Sequence, residues 1–403
     1  MKICIISFGP VESRSNGYFI RCYHVAKCLS SIGHEVYVLQ FPEENTSNLV
    51  MFREGIEFIN LRGNEVGRTG LSRVLRNKLT LDFFHSIRFQ FYSLIELIRF
   101  RGFLKNSDII FVEGSLIPFG IILPKIFRKK VILDTHCINK LLAIHFRERK
   151  FLVYILRMIL WDILERFSTR LSDVVIVVSE RERDYVWTEY KVPRSKIFLV
   201  PNVIKIKRKL YSKEELASLR KKWNLENKII VTFIGNLVSV QNQDAVEFII
   251  SDLAPHFLKE NKDVVFLIIG RKERGFECSL PNIIFTGFVE DLELYMALSD
   301  VFISPLRVGS GTKTKILYYL GYGKPMLVTP ISIEGLEKLA SKQPYVVISP
   351  IEDFKNELAR IIMNLHGATS FKPPKEELTT LETLFKNSLL NAINFAVLNR
   401  VDS

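Results

Sequence analysis

Apolar residues come in short, dense runs along this chain, and the gaps between the runs are the length of helices. KICIISF (2–8), EVYVLQF (35–41) and EFINL (57–61) are compact and rich in β-branched side chains, as strands are. IIFVEG (109–114), VILDTH (131–136), VVIVVS (174–179) and IFLVPN (197–202) continue the series. From Gly17 to Ser31 the apolar positions Phe19, Cys22, Tyr23, Ala26 and Leu29 follow one helix face, and Gly33 supplies a stop. Strands apolar throughout, rather than alternating, belong to a parallel sheet covered on both faces. The right-handed crossover rule makes that sheet doubly wound.

The scheme then repeats. IIVTFIGN, VVFLIIGR, NIIFTGFV, VFISPL, MLVTP and YVVISP read as strands, with helices expected at 243–260, 291–299, 312–322 and 353–366. Lys205 to Asn227 is polar and lysine-rich, a linker with a short helix. After Pro373-Pro374 one more helix, about 376–398, closes the chain. The expected organisation is therefore α/β, with two Rossmann-like doubly wound domains facing a cleft. An amino-terminal domain takes 1–204, a linker 205–227, a carboxyl-terminal domain 228–372, and a last helix at 373–403 packs back on the first domain.

Composition sharpens this only in places. Lys and Arg number 56 against 43 Asp and Glu, a formal charge of +13 that favours an anionic partner: nucleic acid, phosphorylated metabolites or an acidic membrane face. The five cysteines (Cys4, Cys22, Cys28, Cys137, Cys278) lack CxxC or ligand-like spacing, which fits reduced thiols in a cytosol and neither a zinc site nor a disulfide framework. The amino end is too strand-like for a signal peptide, and no apolar stretch reaches membrane-spanning length. Between Arg68 and Lys105, eight Lys or Arg face only Asp82 and Glu96, with Phe83, Phe84, Phe89, Phe91, Tyr92, Phe100 and Phe103 interleaved. Phe83, Ile87, Phe91, Leu94 and Ile98 recur at helical spacing, so this segment packs on the first sheet or lies on an anionic membrane. Nucleic acid is the weakest of its readings, because no recognised nucleic-acid fold accompanies it.

In open α/β sheets, ligands meet the carboxyl ends of strands and the helix N-termini beside them. One such junction, PLRVGSGTKTKILYYLGYGKP (305–325), places Gly309 and Gly311 without Cβ atoms, Ser310 and Thr312 as hydroxyls, and Lys313 in an expected first helical turn. The helix dipole disfavours a cation there unless an anion sits in front of it. An anion site is favoured over a plain strand–helix turn capped by Thr312. It is not a P-loop, since GxxxxGK[ST] is absent.

From these residues the second half resembles the nucleotide-binding domain of GT-B glycosyltransferases, the retaining group 1 (family 4) type. Landmarks run in order through nearly the whole chain: SNGYFIRCYHVAKCLSSIGHEV, DTH, VVIVVSE, LVPNV, FIGNL, LIIGR and the long block from NIIFTGFVEDLELY to GYGKPMLVTP. The resemblance implies Gly17 in the loop that approaches the donor phosphates and His136 near the reacting sugar. It places Gly235 and Asn236 in a phosphate-facing loop and Phe288 and Val289 at the nucleobase. Gly309, Ser310, Gly311, Thr312 and Lys313 would lie under the diphosphate and sugar, with Arg307 and Lys315 adding charge. His136 and Lys313 would be catalytic, with no metal and no cofactor beyond the nucleotide-sugar co-substrate.

Some positions depart from the pattern. Asn236 and Gln241 stand where many members carry Arg and Lys, and Ser310 and Tyr318 stand where two glutamates are expected. A phenol cannot accept two ribose hydroxyls as a carboxylate does. The expected activity is hexosyl or related transfer from a nucleotide-diphosphate sugar to a glycan or lipid-linked acceptor. Its expected place is the cytoplasm, at the inner face of the cell membrane. Two rivals stand beside it: a catalytically degenerate binding or scaffold subunit, and a sugar-nucleotide epimerase. A nicotinamide dehydrogenase is disfavoured by the missing GxGxxG after the first strand.

Overall fold

The computed structural model describes residues 1–7, 9, 11, 17–40, 50–61, 93–114, 118–140, 151–204, 209–260, 263–271, 278–365, 371 and 373–398. The expectations for 68–92 and for the linker's start at 205–208 fall outside these residues. Two compact units make up the chain. Unit 1 is Met1–Val203, Ser310–Thr312 and Thr380–Ser403; unit 2 is Ile204–Gly309 and Lys313–Thr379.

Unit 1 is built on eight strands: β1 (Lys2–Ser7), β2 (Glu35–Gln40), β3 (Val50–Arg53), β4 (Ile56–Asn60), β5 (Ile109–Glu113), β6 (Lys130–Asp134), β7 (Val174–Val177) and β8 (Ile197–Leu199). They lie in the order β3-β4-β2-β1-β5-β6-β7-β8. Strand side chains alternate between faces, and both faces are apolar. Ile3 and Ile5 enter one core with Val38, Phe58, Phe111 and Ile132, beneath helix Gly17–Ser31 and beneath Phe385, Leu389, Ala392, Ile393 and Ala396 of helix Lys375–Leu398. Cys4 and Ile6 enter the other, with Leu39, Ile59, Val112, Val131 and Leu133.

All pairings in this sheet are parallel except β3 with β4, an edge hairpin that the apolar pattern does not announce. The turn Glu54-Gly55 has φ of 52° and 77°, the two positive values a two-residue hairpin requires. β3 is exposed along most of its length, so it carries no buried run to read.

Unit 2 has six parallel strands: β9 (Ile229–Ile234), β10 (Val264–Ile269), β11 (Ile283–Gly287), β12 (Val301–Ser304), β13 (Met326–Val328) and β14 (Val346–Ile348). Their order, β11-β10-β9-β12-β13-β14, reverses direction between β9 and β12. A sheet's loops diverge at such a point and leave room for a ligand. The helix expected at 243–260 runs from 240 to 260 with one π turn, Ile249–Leu253. Pro255 explains that turn, because it has no N–H to give the carbonyl four residues back and its ring crowds that carbonyl. The lysine-rich stretch holds helix Lys213–Lys222, closed at its start by a reciprocal Ser212–Glu215 capping box. Leu219 packs that helix on Leu225 and Ile230 of unit 2.

Candidate functional site

The loops after β9 and β12 bring several of the sequence-selected residues of unit 2 together. Gly235 follows β9, and a Cβ built on it would lie 2.8 Å from Asn242 Cγ. The Asn242 amide donates to Asn236 O at 2.8 Å, while Asn242 Oδ1 accepts from Lys315 Nζ at 2.6 Å. Lys315 Nζ also sits 4.1 Å from the centre of the Phe233 ring. Gly309 has φ 154°, a value that side chains rarely adopt, and a Cβ there would come 2.9 Å from Gln241 Oε1 and 3.0 Å from Lys313 Cε. Gly235, Asn236, Gln241, Gly309, Lys313 and Lys315 thus share one locus. Gln241 Oε1 is buried there with no hydrogen-bond partner.

The helix begins later than its sequence suggests, at Thr314, and runs to Tyr322. Thr312 is not its cap: Lys313 holds the N-cap position, in extended backbone and with no side-chain cap bond. A cation only 5 % exposed therefore occupies the positive end of the helix dipole. One turn on, burial pushes the Lys315 ammonium well below the ordinary lysine value, and the nearby Lys313 charge pushes the same way. Lys313 and Lys315 thus both lie at the N-terminus of helix Thr314–Tyr322. The helix is held in register by Tyr319, whose hydroxyl accepts from Ile234 N at 2.9 Å and donates to Ile303 O at 3.3 Å, tying β9 to β12. Its ring stacks on Phe302 at 4.6 Å.

Other selected residues of unit 2 lie apart from this locus or are otherwise engaged. Arg307 forms a two-pronged ion pair with Asp244, at 2.7 and 3.0 Å, which offsets its charge. Phe288, just beyond β11, is 63 % exposed, and Val289 packs with Leu292 and Tyr295. Tyr318 is half-buried, three residues along the helix from Lys315.

In unit 1, Gly17 opens its helix, and Tyr18 beside it stacks on the His136 ring at 4.0 Å. His136 sits at the carboxyl end of β6 with φ 55°, in a γ-turn closed by Cys137 N donating to Thr135 O at 2.6 Å. Such backbone is strained by about 1–3 kcal/mol and is kept where its surroundings fix it. The fixing partner is Glu113, which sequence reasoning missed: its carboxylate meets His136 Nε2. Tyr18 adds to this by donating to Glu113 O at 2.5 Å. Burial raises the Glu113 carboxyl, against the opposing pull of the His136 charge.

Asp134, two residues before His136, is paired with Arg21 at 2.8 Å, both side chains buried. Glu113, Asp134 and His136 place one ligand atom each within 4.8 Å of one another, a grouping able to hold a metal by distance alone. The Arg21 guanidinium, paired with Asp134, already supplies positive charge there. The signals for this cluster were present in the sequence: a carboxylate ending a wholly apolar strand, and an arginine among the apolar residues of a helix.

Ser310, Gly311 and Thr312 belong to unit 1 and are fastened there. Ser310 Oγ donates to Glu182 Oε1 at 3.1 Å and accepts from Ile138 N at 3.3 Å. Thr312 Oγ1 donates to Val178 O at 3.2 Å. Gly311, at φ 73°, has the His136 carbonyl 2.6 Å from where a Cβ would be. These two hydroxyls therefore place the loop. Glu180 is a first-turn charge paired with Arg183, and Ser179 is the cap of its helix.

Two family models match the chain in succession: Glycosyltransferase Family 4 over residues 15–208 and Glycosyl transferases group 1 over residues 228–366. The chain belongs to the group 1 glycosyltransferases. Solved structures similar to this transferase share its GT-B fold. Sucrose-phosphate synthase from Thermosynechococcus elongatus is 14 % identical, with a TM-score of 0.67 over 99 % of this chain and 98 % of that one. Anabaena Alr3699/HepE in complex with UDP-glucose is 14 % identical, with a TM-score of 0.64 over 98 % and 94 %. WaaG, a glycosyltransferase involved in lipopolysaccharide biosynthesis, is 15 % identical, with a TM-score of 0.61 over 98 % and 95 %. No curated protein matches this glycosyltransferase by sequence.

Proposed function

We propose that this glycosyltransferase moves a hexosyl or related sugar from a nucleotide-diphosphate sugar to a glycan or lipid-linked acceptor in glycan biosynthesis, with retention and without a metal or other resident cofactor. One observation carries the donor assignment: Lys313 and Lys315 crowd the N-terminus of helix Thr314–Tyr322, where unit 2's sheet reverses order. The bond that breaks joins the anomeric carbon to a phosphate oxygen, and the electron pair leaves with the nucleotide diphosphate. Lys313, Lys315 and the amides of the first helical turn stabilise the charge that grows on that oxygen, being fixed before the reaction begins. Phe288 and Val289 are assigned to the base, Gly17 to the donor phosphates, His136 to the reacting sugar and unit 1 to the acceptor, all by family resemblance. UDP-glucose bound to a structural neighbour supports the donor class.

The assignment has a protonic consequence. Folded Lys315 holds its proton less tightly than an unfolded lysine, so between its lowered value and 10.5 the unfolded chain binds more protons. Stability contributed by this residue rises with pH through that window. A diphosphate in front of Lys315 opposes that lowering, so binding at a pH inside this window takes up a fraction of a proton. Calorimetry of UDP or GDP binding in buffers of different ionisation enthalpy measures this uptake. Lys315→Met should remove it, and a binding heat independent of buffer in the parent protein contradicts the placement.

A second reading, a non-catalytic binding subunit, is favoured by Tyr318 in the place of a carboxylate and by Arg307 being engaged with Asp244. Single-turnover hydrolysis of a nucleotide-sugar panel separates the two: release of nucleoside diphosphate supports transfer, while binding without turnover supports the subunit. The proposal also places the protein in the cytoplasm, at the inner membrane face, in contact with anionic lipid through 68–105. Among the described residues, no helix is long and apolar enough to cross a membrane.

A further inference from the structure

One face of unit 1 is covered by three helical segments: 93–106, Phe119–Ile126 with the turn that follows it, and the part of helix Phe151–Leu171 from 158 onward. Their inner sides share a core, through Leu97, Leu104, Ile121, Leu123 and Leu171. The Lys105 ammonium lies 5.0 Å from the Phe127 ring centre, linking the first segment to the second.

The outer sides are unusual in what they show and in what they lack. Six large apolar side chains are exposed: Ile95 (61 %), Ile98, Ile126 (66 %), Ile159, Ile163 (55 %) and Phe167. Ile159, Ile163 and Phe167 recur every fourth residue, one stripe about 12 Å long on a single helix face. The exposed charges among them are all basic: Arg99, Arg101, Lys105, Arg128 and Arg170. The acids of these segments are withdrawn from the surface. Glu96 and Glu165 are buried, and Asp162 is half-buried between Lys140 and Arg166 at 2.8 and 2.7 Å.

Isolated exposed apolar residues are ordinary, but a set of isoleucines set among arginines and lysines with no exposed acid calls for a partner. A second copy of this chain would bring like charges face to face, and nucleic acid would leave the isoleucines unused. An anionic lipid surface takes both, the side chains entering below the headgroups and the cations meeting lipid phosphate. We propose that this face of unit 1 docks peripherally on an anionic bilayer. The inference rests on the membrane clause of the reading above and extends the contact from the described end of 68–105 to helices Phe119–Ile126 and Phe151–Leu171.

The experiment is co-sedimentation of the full chain with vesicles of phosphatidylcholine, alone or with about a third phosphatidylglycerol. Binding to the anionic vesicles and not the neutral ones, weakened by salt, is expected. Ile159→Ser with Ile163→Ser and Phe167→Ser, and separately Arg99→Glu with Arg101→Glu and Lys105→Glu, should each lower it about 10-fold or more. An unchanged thermal shift with UDP or GDP shows that the variants are folded and keeps the donor reading apart from this test. Absent vesicle binding by the parent chain, binding untouched by both variants, or self-association through the same residues in place of vesicle binding would each overturn the proposal.

Discussion

Lys313→Ala lowers turnover by ~10- to 1000-fold and leaves the fold intact. The reasoning begins with a cost. Lys313 is nearly buried at the N-cap of helix Thr314–Tyr322, where the dipole repels a cation, and its charge also weakens the hold of Lys315 on its proton. Its removal is expected to leave the protein folded, with a melting temperature close to that of the parent chain. With a leaving diphosphate in place, both terms reverse sign. The charge on the leaving phosphate oxygen is greater in the transition state than in the bound donor, because the anomeric C–O bond is partly broken there, so the loss falls chiefly on kcat. Thermal melts and steady-state kinetics on one preparation check both halves. Near-normal kcat, or a fall in melting temperature matching the fall in rate, contradicts the assignment.

Arg21→Ala is expected to cost about 3–5 kcal/mol of stability, since it leaves Asp134 charged and buried without its partner. The arginine is bound on several sides. Its Nε meets Asp134 at 2.8 Å, and its Nη1 donates to Val200 O, Pro201 O and Asn202 Oδ1 at 3.0, 3.2 and 2.9 Å. One guanidinium thereby joins helix Gly17–Ser31 to the end of β6 and to the loop after β8. Replacing both charges with apolar residues, Arg21→Met with Asp134→Leu, should recover much of the loss, because no lone buried charge remains. Denaturant unfolding of the two single variants and the double variant gives the coupling. A single-variant cost below about 1 kcal/mol would show that the pair is solvated rather than buried.

The strands could be read because most of them are covered on both faces, which writes a continuous apolar run into the sequence. β3 could not, because it is an exposed edge of four residues whose only mark is the Glu54-Gly55 turn. The loop 309–315 stood out for a local reason: two glycines and two lysines, whose effects are backbone shape and charge, fall within seven residues. Its hydroxyls were not legible. Ser310 finds Glu182 across 128 positions and Thr312 finds Val178 across 134, partners that only the fold chooses. The same holds for Arg21 and Asp134, 113 positions apart, and for the Glu113 carboxylate behind His136.

A crystal of the full chain soaked with UDP, GDP or ADP tests the donor assignment most directly. The diphosphate is expected against Lys313 and Lys315, at the start of helix Thr314–Tyr322. A nucleotide bound with its phosphates elsewhere, or no nucleotide bound at saturating concentration, would contradict it.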